Sequence, residues 1–126
     1  MAHYVDGFVL PIPHNRLDDY RRVAEAVAEI WKEYGAMEYV ECAADDMYRE
    51  GTRSFAELVT ARQGETVVFG WVVFESREAR DRANQKVAAD PRMTDLIAPL
   101  LDPSALVFDA ERMAYGGFTT LVASAR

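Results

Sequence analysis

The chain has 126 residues, of which 50% are hydrophobic and 28% charged, and its formal net charge is −7 at pH 7. This length and composition are typical of one folded domain and exclude disordered and fibrous proteins. The 14 lysines and arginines are scattered along an acidic chain that repels phosphate backbones, so we expect no nucleic-acid partner.

The first third of the chain predicts a strand followed by a helix. Tyr4 to Leu10 is largely apolar, and we expect Pro11 and Pro13 to end this strand because proline donates no backbone hydrogen bond. Asn15 is predicted to cap a helix whose apolar residues recur at spacings of three and four. Gly35 is predicted to end that helix.

Three strands are predicted in the middle of the chain. Met37 to Ala43 alternates in the manner of a strand, and a polar loop follows it. Phe55 to Ala61 has weak strand character, and the turn at 62–65 is expected to join it as a hairpin to Thr66–Phe74. The last of these strands has the strongest β-propensity in the chain.

The C-terminal third predicts a second long helix, a short helix and a last strand. Ser76 is expected to cap a helix that runs to about Ala89, and a short helix is expected over Thr94–Leu101. Met113 to Val122 is predicted to form the final strand. The whole pattern predicts an α+β fold of ferredoxin-like βαββαβ type, with an antiparallel sheet and an extra hairpin strand, as a single domain over residues 1–126.

The strand at 66–74 predicts a homodimer. A ferredoxin-like monomer covers one face of its sheet with helices, and the other face should then alternate with polar residues. Here both alternating sets are apolar: 67, 69, 71 and 73 on one face, and 68, 70, 72 and 74 on the other. An uncovered apolar sheet normally marks an interface, so we expect a second copy to cover it. The alternative is that the segment Pro99–Asp109 folds across this face.

Several short sequence segments, spread over nearly the whole chain, resemble the DUF1428 family of bacterial proteins of unknown function. The segments are YVDGFV at 4–9, WKE at 31–33, GA at 35–36 with EYVEC at 38–42, ETVVF at 65–69, DPRM at 90–93, and RM at 112–113 with YGGF at 115–118. The resemblance implies a dimeric α+β barrel, in which two ferredoxin-like sheets close face to face. Two positions depart from the family pattern: Gly70 replaces a serine and Val107 a proline.

The sequence contains no recognisable metal, phosphate or disulfide motif. Cys42 is the only cysteine, so no intrachain disulfide can form and a cytoplasmic location is predicted. His3 and His14 lack metal-ligand spacing, and the pair Gly116–Gly117 lies in a predicted strand without a following helix. We therefore expect no metal and no cofactor. The first ten residues are too short and too polar for a membrane segment, and no membrane partner is expected.

A few polar residues stand out as candidates for catalysis. Glu41 shares a strand face with Tyr39, and if that face turns inward its carboxylate becomes a buried general base; the plainer interpretation is a solvated or arginine-paired glutamate. Asn84, on the flank of the second helix, could orient a substrate carbonyl or simply bind nearby backbone. Asp90 and Arg92 are expected to tie down a turn by an ion pair.

Four aromatic residues, Trp31, Tyr39, Trp71 and Tyr115, are candidates for the wall of a ligand pocket, although aromatic residues more commonly fill a core. Cofactor-free monooxygenases of the implied fold use such pockets. Two functions therefore stay open from the sequence. The protein binds or transforms a small apolar molecule between sheet and helices, or it is a non-catalytic dimeric protein that serves interaction and assembly. A ligand-sized pocket would favour the first, and a filled interior the second.

Overall fold

The computed structural model describes residues 3–126, in which one antiparallel sheet of four strands carries the fold. The strands are β1 (Tyr4–Pro13), β2 (Glu38–Ala43), β3 (Glu65–Phe74) and β4 (Ala114–Thr119). Their order in the sheet is β2-β3-β1-β4, and every neighbouring pair is antiparallel. This order is that of a ferredoxin-like fold and confirms the predicted α+β class.

Within residues 3–126, four α-helices accompany the sheet. They are α1 (Leu17–Glu33), α2 (Phe55–Leu58), α3 (Arg77–Ala89) and α4 (Pro91–Ile97), with short 3-10 turns at His14–Arg16, Ala98–Leu100 and Ala110–Arg112. No helix within residues 3–126 is both long enough and apolar enough to span a membrane.

The helices cover one face of the sheet, which we call the helix face. The even-numbered side chains of β1 and β3 point to it: Leu10, Ile12 and Val68 pack with Tyr20 of α1, and Phe74 packs with Ala83 of α3. Alternation in the strands thus decides which set is buried. The odd-numbered set of β3 faces away from the helices, and Phe69 of that set is exposed.

The predicted end of the first strand at its prolines is wrong, because β1 continues through Pro11 and Pro13. The pairing of β1 with β4 stops at Val9, so beyond that point β1 has a neighbour only on the β3 side. The backbone N–H of His14 donates to the carbonyl of Gly64 on the β3 side. Because backbone nitrogens alternate in direction along a strand, those of Pro11 and Pro13 face the side that has no neighbouring strand. Proline is tolerated there because its missing N–H costs no ladder bond.

Two of the three predicted helix-end residues have the role that the sequence predicts. Gly35, with a φ of +116°, ends α1 as predicted. Asn15 does not cap α1, since it lies inside the preceding 3-10 turn and the N-terminal flanking residue is Arg16, without a side-chain cap. Ser76 caps α3 as predicted, and its Oγ accepts from the N–H of Ala79 at 3.1 Å.

The extra hairpin strand predicted over 55–61 is absent from the sheet, and this part of the chain contains helix α2 instead. Ser54 Oγ accepts a hydrogen bond from Ala56 N at 3.1 Å and starts the helix. Val59, just after α2, packs on Val9 and Val67, so the segment lies across one end of the sheet face that the helices leave open. Packing therefore overrides the weak strand propensity.

The C-terminal segment Pro99–Asp109 does not cover the sheet face that the helices leave open. Leu100 and Val107 are buried on the helix face, in the same cluster as Leu10 and Tyr20. Val107 N donates to the carbonyl of Leu100 at 3.0 Å, a bond that the proline of the family pattern could not make. The alternative in which this segment substitutes for a partner is therefore wrong.

Gly70 permits a close approach of the Phe8 ring to β3. A Cβ at position 70 would collide with Phe8 Cζ and would lie 2.7 Å from Phe8 Cε2 and 2.9 Å from the carbonyl oxygen of Val40. We expect Gly70→Ala to lower the free energy of unfolding by about 1–3 kcal/mol, the usual cost of overpacking. Urea denaturation measures this loss. Phe8→Leu in the same chain should recover part of it, and a stability unchanged by Gly70→Ala would contradict the contact.

Asp90 fixes the junction between α3 and α4, as the sequence predicts. Its carboxylate accepts from Arg92 N at 2.9 Å, Arg92 Nη2 at 2.7 Å and Tyr34 Oη at 2.8 Å. Arg92 also forms a bidentate pair with Glu33 of α1. The side-chain hydrogen bonds from Arg92, and then from Tyr34, hold the pKa of Asp90 well below its ordinary value.

This lowered pKa makes Asp90 a source of acid sensitivity. The unfolded chain binds a proton at Asp90 more readily than the folded chain, so the stabilisation is complete above the ordinary carboxyl pKa of 3.8 and is lost as pH falls below it. We expect Asp90→Asn to be less stable than the parent at pH 7 and to lose less stability between pH 7 and pH 3. Tyr34→Phe should show an intermediate pH dependence. Urea denaturation measures the free energy of unfolding against pH. The same pH dependence for the parent, Asp90→Asn and Tyr34→Phe would contradict this assignment.

Candidate functional site

A cavity of about 500 Å³ lies between the helix face of the sheet and helices α1, α3 and α4. Most of its lining is apolar and comes from both layers: Phe8, Val23, Ala24, Val27, Trp31, Val72, Met93, Ile97, Leu100, Phe108 and Met113. Six polar side chains complete it: Asp6, Tyr20, Tyr39, Glu41, Asn84 and Tyr115. Ligand pockets typically measure about 300–1,000 Å³ and combine such walls with a few polar groups.

The cavity brings together five of the six residues that the sequence singles out. Trp31, Tyr39 and Tyr115 form part of its wall, and Glu41 and Asn84 contribute polar groups.

Trp71 is the exception, and its expected place in this pocket is wrong. It belongs to the odd-numbered set of β3, so its ring lies on the opposite face of the sheet, beside Phe69 with ring centroids 5.7 Å apart. Its Nε1 donates to Glu38 Oε1 at 2.6 Å.

Strand pairing places Glu41 and Tyr115, which lie at opposite ends of the cavity, on one row across the sheet. Glu41 pairs with Gly70, Gly70 with Phe8, and Phe8 with Tyr115. Because neighbouring strands are about 4.8 Å apart, the backbones of Glu41 and Tyr115 are separated by about 14 Å. The ring of Phe8 occupies the floor between them, above the glycine that makes room for it.

Glu41 is the centre of a hydrogen-bonded cluster at the β2 end, which we call the Glu41 cluster. Tyr20 Oη donates to Glu41 Oε1, and Tyr39 Oη donates to Oε2 at 2.7 Å. Burial, and then the charge of Glu41, raise the pKa of Tyr20 and of Tyr39 far above the ordinary tyrosine value. Both phenols therefore stay protonated near neutral pH and direct their hydrogens at the carboxylate.

The Glu41 cluster also borders a second cavity. A groove of about 380 Å³ runs along the outer side of α1 and the edge strand β2, and Tyr20, Tyr39 and Glu41 line it as well as the main cavity. The charged residues of the groove, Asp18, Arg21 and Glu25, are exposed on α1. The cluster thus forms a wall between the main cavity and a groove whose charged residues are exposed.

An ion pair occupies the other end of the cavity. Arg80 Nη1 of α3 donates to Asp6 Oδ1 at 2.8 Å and to Tyr115 Oη at 2.7 Å, and Arg80 Nη2 donates to Tyr4 Oη at 3.3 Å. The side chains of Arg80 and Asp6 are only 11% and 6% exposed. Asp6 is therefore paired, and its charge is compensated within the protein.

Asn84 lies one helical turn after Arg80, on the same side of α3. Its amide makes no side-chain hydrogen bond within residues 3–126, although it lines the cavity. An amide in this position offers two donors and one acceptor to a bound molecule.

Tyr20, Asp6 and Arg80 are the polar residues of the site that the sequence did not single out. Tyr20 was hidden because it fits the apolar stripe of α1 like any core residue. Asp6 carried a usable signal, since it is a carboxylate within a largely apolar strand, and a carboxylate buried in a sheet needs a partner. Its partner Arg80 is 74 residues away and cannot be read from spacing.

Cys42 lies on the open side of β2, opposite in direction to Glu41, and is exposed. Within residues 3–126 no group of three or more histidine, cysteine, aspartate or glutamate side chains is arranged to hold a metal ion.

The sheet face that points away from the helices, which we call the open face, is apolar and partly exposed. Phe69 of β3 is 38% exposed and Phe118 of β4 is 59% exposed. Val5, Val40, Trp71 and Val73 lie between and beside them on the same face. Within residues 3–126, the segment that contains α2 covers one end of this face, near Val9 and Val67.

Comparison with known proteins gives a family match and a fold match. A family model described as "Protein of unknown function (DUF1428)" matches residues 3–109. The uncharacterized protein YbaA of Escherichia coli K12 is 41% identical over 119 residues, which are 94% of this chain and 97% of that protein.

Two solved structures share the fold at low sequence identity. A dimeric ferredoxin-like protein from an uncultured marine organism superposes with a TM-score of 0.57 at 8% identity and covers 100% of this chain and 94% of its own. SnoaB, a cofactor-independent oxygenase from Streptomyces nogalater, superposes with a TM-score of 0.53 at 16% identity and covers 97% and 94%. At these identities the likeness shows the fold alone.

Proposed function

Since this chain belongs to the DUF1428 family, whose matched relative is uncharacterised, we propose from its own geometry that it binds a small, largely apolar molecule and acts as a homodimer. The observation that carries this proposal is the 500 Å³ cavity between sheet and helices, with its apolar wall and few polar groups. Well-packed interiors hold few voids larger than a water molecule. A space of this size therefore favours a binding protein over one with a filled interior.

The polar groups suit a molecule that is transformed as well as held. Glu41 is a carboxylate with access to both the cavity and the exposed groove, which is the placement that a general base needs. Asn84 offers its amide to orient a carbonyl group of the same molecule. SnoaB, which shares the fold, is a cofactor-independent oxygenase, and by analogy of fold this supports chemistry that needs only protein side chains.

The homodimer is supported by the open face. Phe69 and Phe118 expose large apolar rings on the side of the sheet that no helix covers. Facing sheets of two copies would bury these rings, and stable interfaces of this kind bury on the order of 2,000 Å² in total. The marine neighbour with the same fold is described as dimeric. A non-catalytic assembly role is the second candidate, and the same exposed apolar face favours it.

A thermal-shift screen separates these two functions. We expect phenols, quinones and other small aromatic molecules to raise the melting temperature in a concentration-dependent way, because a ligand that binds only the folded state stabilises it. Nucleotides and sugars should have no such effect. Val23→Trp, which places a large side chain in the cavity, should abolish the response. Absence of stabilisation by either set would favour the assembly role, and stabilisation by the sugar or nucleotide set alone would contradict an apolar ligand.

A further inference from the structure

We propose that the molecule bound in this cavity is a neutral aromatic compound with a free hydroxyl group, a phenol or an enol, which donates its hydrogen to Glu41. This inference rests on the proposed function and narrows it to a class of ligand. It follows from the direction of the hydrogen bonds, the charges of the lining and the shape of the apolar wall.

The Glu41 cluster offers a ligand acceptors and no donor. Tyr20 and Tyr39 each have one hydroxyl hydrogen, and both are spent on the carboxylate of Glu41. The atoms left for a ligand are carboxylate and phenol oxygens, and all of these accept hydrogen bonds. A carbonyl, ether or quinone oxygen at this end would face only lone pairs, whereas a hydroxyl group finds a charged acceptor.

The charges of the lining exclude an anion. No lysine, arginine or histidine is among the described residues that line the cavity, and two of these residues, Asp6 and Glu41, are acidic. Asp6 is neutralised by Arg80, but Glu41 has no basic nitrogen of residues 3–126 within 4.0 Å. A bound carboxylate would be placed near an uncompensated negative charge in an apolar site, which is strongly unfavourable.

The apolar wall favours a flat, aromatic body. The rings of Phe8, Trp31 and Phe108 and the thioethers of Met93 and Met113 come from both layers of the cavity. Aromatic rings pack well against other rings, and methionine sulfur makes favourable contacts with ring edges. The volume accommodates a molecule of two or three fused rings with its hydroxyl directed at Glu41.

Three matched probes test the class of ligand by isothermal titration calorimetry at pH 7: 1-naphthol, naphthalene and 1-naphthoate. We expect 1-naphthol to bind at least about tenfold more tightly than naphthalene, because it gains a hydrogen bond to a charged acceptor. Naphthoate should bind most weakly. In Glu41→Gln the advantage of naphthol over naphthalene should shrink to less than about threefold, while an unchanged affinity for naphthalene reports that the cavity is intact.

The outcomes distinguish this inference from the proposed function. Equal affinities for naphthol and naphthalene in the natural chain, or tightest binding of naphthoate, would overturn the hydroxyl class and leave cavity binding standing. Absence of binding by all three probes would overturn both. The comparison of the probes in the natural chain needs no variant, so a failure of Glu41→Gln to fold would not remove the test.

Discussion

Replacing Phe74 by aspartate is expected to prevent stable folding. Phe74 is the last residue of β3, is fully buried on the helix face and packs edge-on against Trp31 with ring centroids 6.2 Å apart. Truncation of a core phenylalanine alone costs about 3–5 kcal/mol, and an unpaired buried carboxylate adds to this loss. Because typical domains are stable by only about 5–15 kcal/mol, we expect an unfolded or aggregated product by circular dichroism.

The same substitution at Phe69 should have a different result, although the two residues lie on the same strand. Phe69 points to the open face, so Phe69→Asp leaves the internal core intact and places a charge in the proposed dimer interface. We expect a soluble chain that either folds and sediments as a monomer or folds only at a higher protein concentration. Phe69→Leu is the matched control and should stay dimeric.

Sedimentation equilibrium of the natural chain provides the reference for these variants. The proposed homodimer predicts about twice the 14.2 kDa chain mass at micromolar concentration. A well-folded species at the single-chain mass, persisting at high micromolar concentration, would show that the open face is not an interface between copies. A folded Phe74→Asp chain would contradict the assignment of the two faces of β3.

Removing the positive charge of Arg80 is the second change with a large expected effect. Arg80→Met leaves the carboxylate of Asp6, whose side chain is 6% exposed, without its ion pair. Breaking a buried pair by removing one partner typically costs about 3–5 kcal/mol, because the remaining charge stays buried and uncompensated. Urea denaturation at a fixed protein concentration measures the loss, and the far-ultraviolet spectrum reports whether the fold survives.

The matched double variant identifies the cause of that loss. Asp6→Leu combined with Arg80→Met replaces the pair by apolar side chains and should recover most of the stability, since such replacements are often neutral. Asp81 is a second control: it also accepts from Arg80 but is exposed, so Asp81→Asn should change stability by less than about 1 kcal/mol. Equal losses in the single and the double variant would contradict a desolvated charge as the cause.

Local sequence signals predicted most of the fold. Gly35 and Ser76 act through backbone conformation and a single cap, which depend on neighbours in sequence, and both were predicted correctly. The apolar residues on both sides of β3 likewise indicate an apolar sheet face that the helices leave uncovered. The helix at 55–58 was missed because its place is set by packing of Val59 and its neighbours on distant strands, which no short window contains.

The candidate site was only partly predictable, for a physical reason. Alternation placed Tyr39 and Glu41 on one face of β2, but periodicity does not say which face of a sheet the helices cover. That ambiguity placed Trp71 in the pocket, whereas the register puts it on the open face. One of the two hydrogen-bond partners of Glu41, Tyr20, comes from α1 and is 21 residues away in the chain, so spacing along β2 does not reveal it.

The binding of an apolar molecule inside the cavity is the central claim, and the methionine methyl groups test it directly. Met93 and Met113 line the cavity, whereas Met37 is exposed before β2 and Met47 packs near the open face. In a protein labelled with carbon-13 at the methionine methyls, titration with 1-naphthol is predicted to shift the Met93 and Met113 signals saturably and leave those of Met37 and Met47 in place. Saturable shifts confined to Met37 or Met47, or no shift at all, would contradict it.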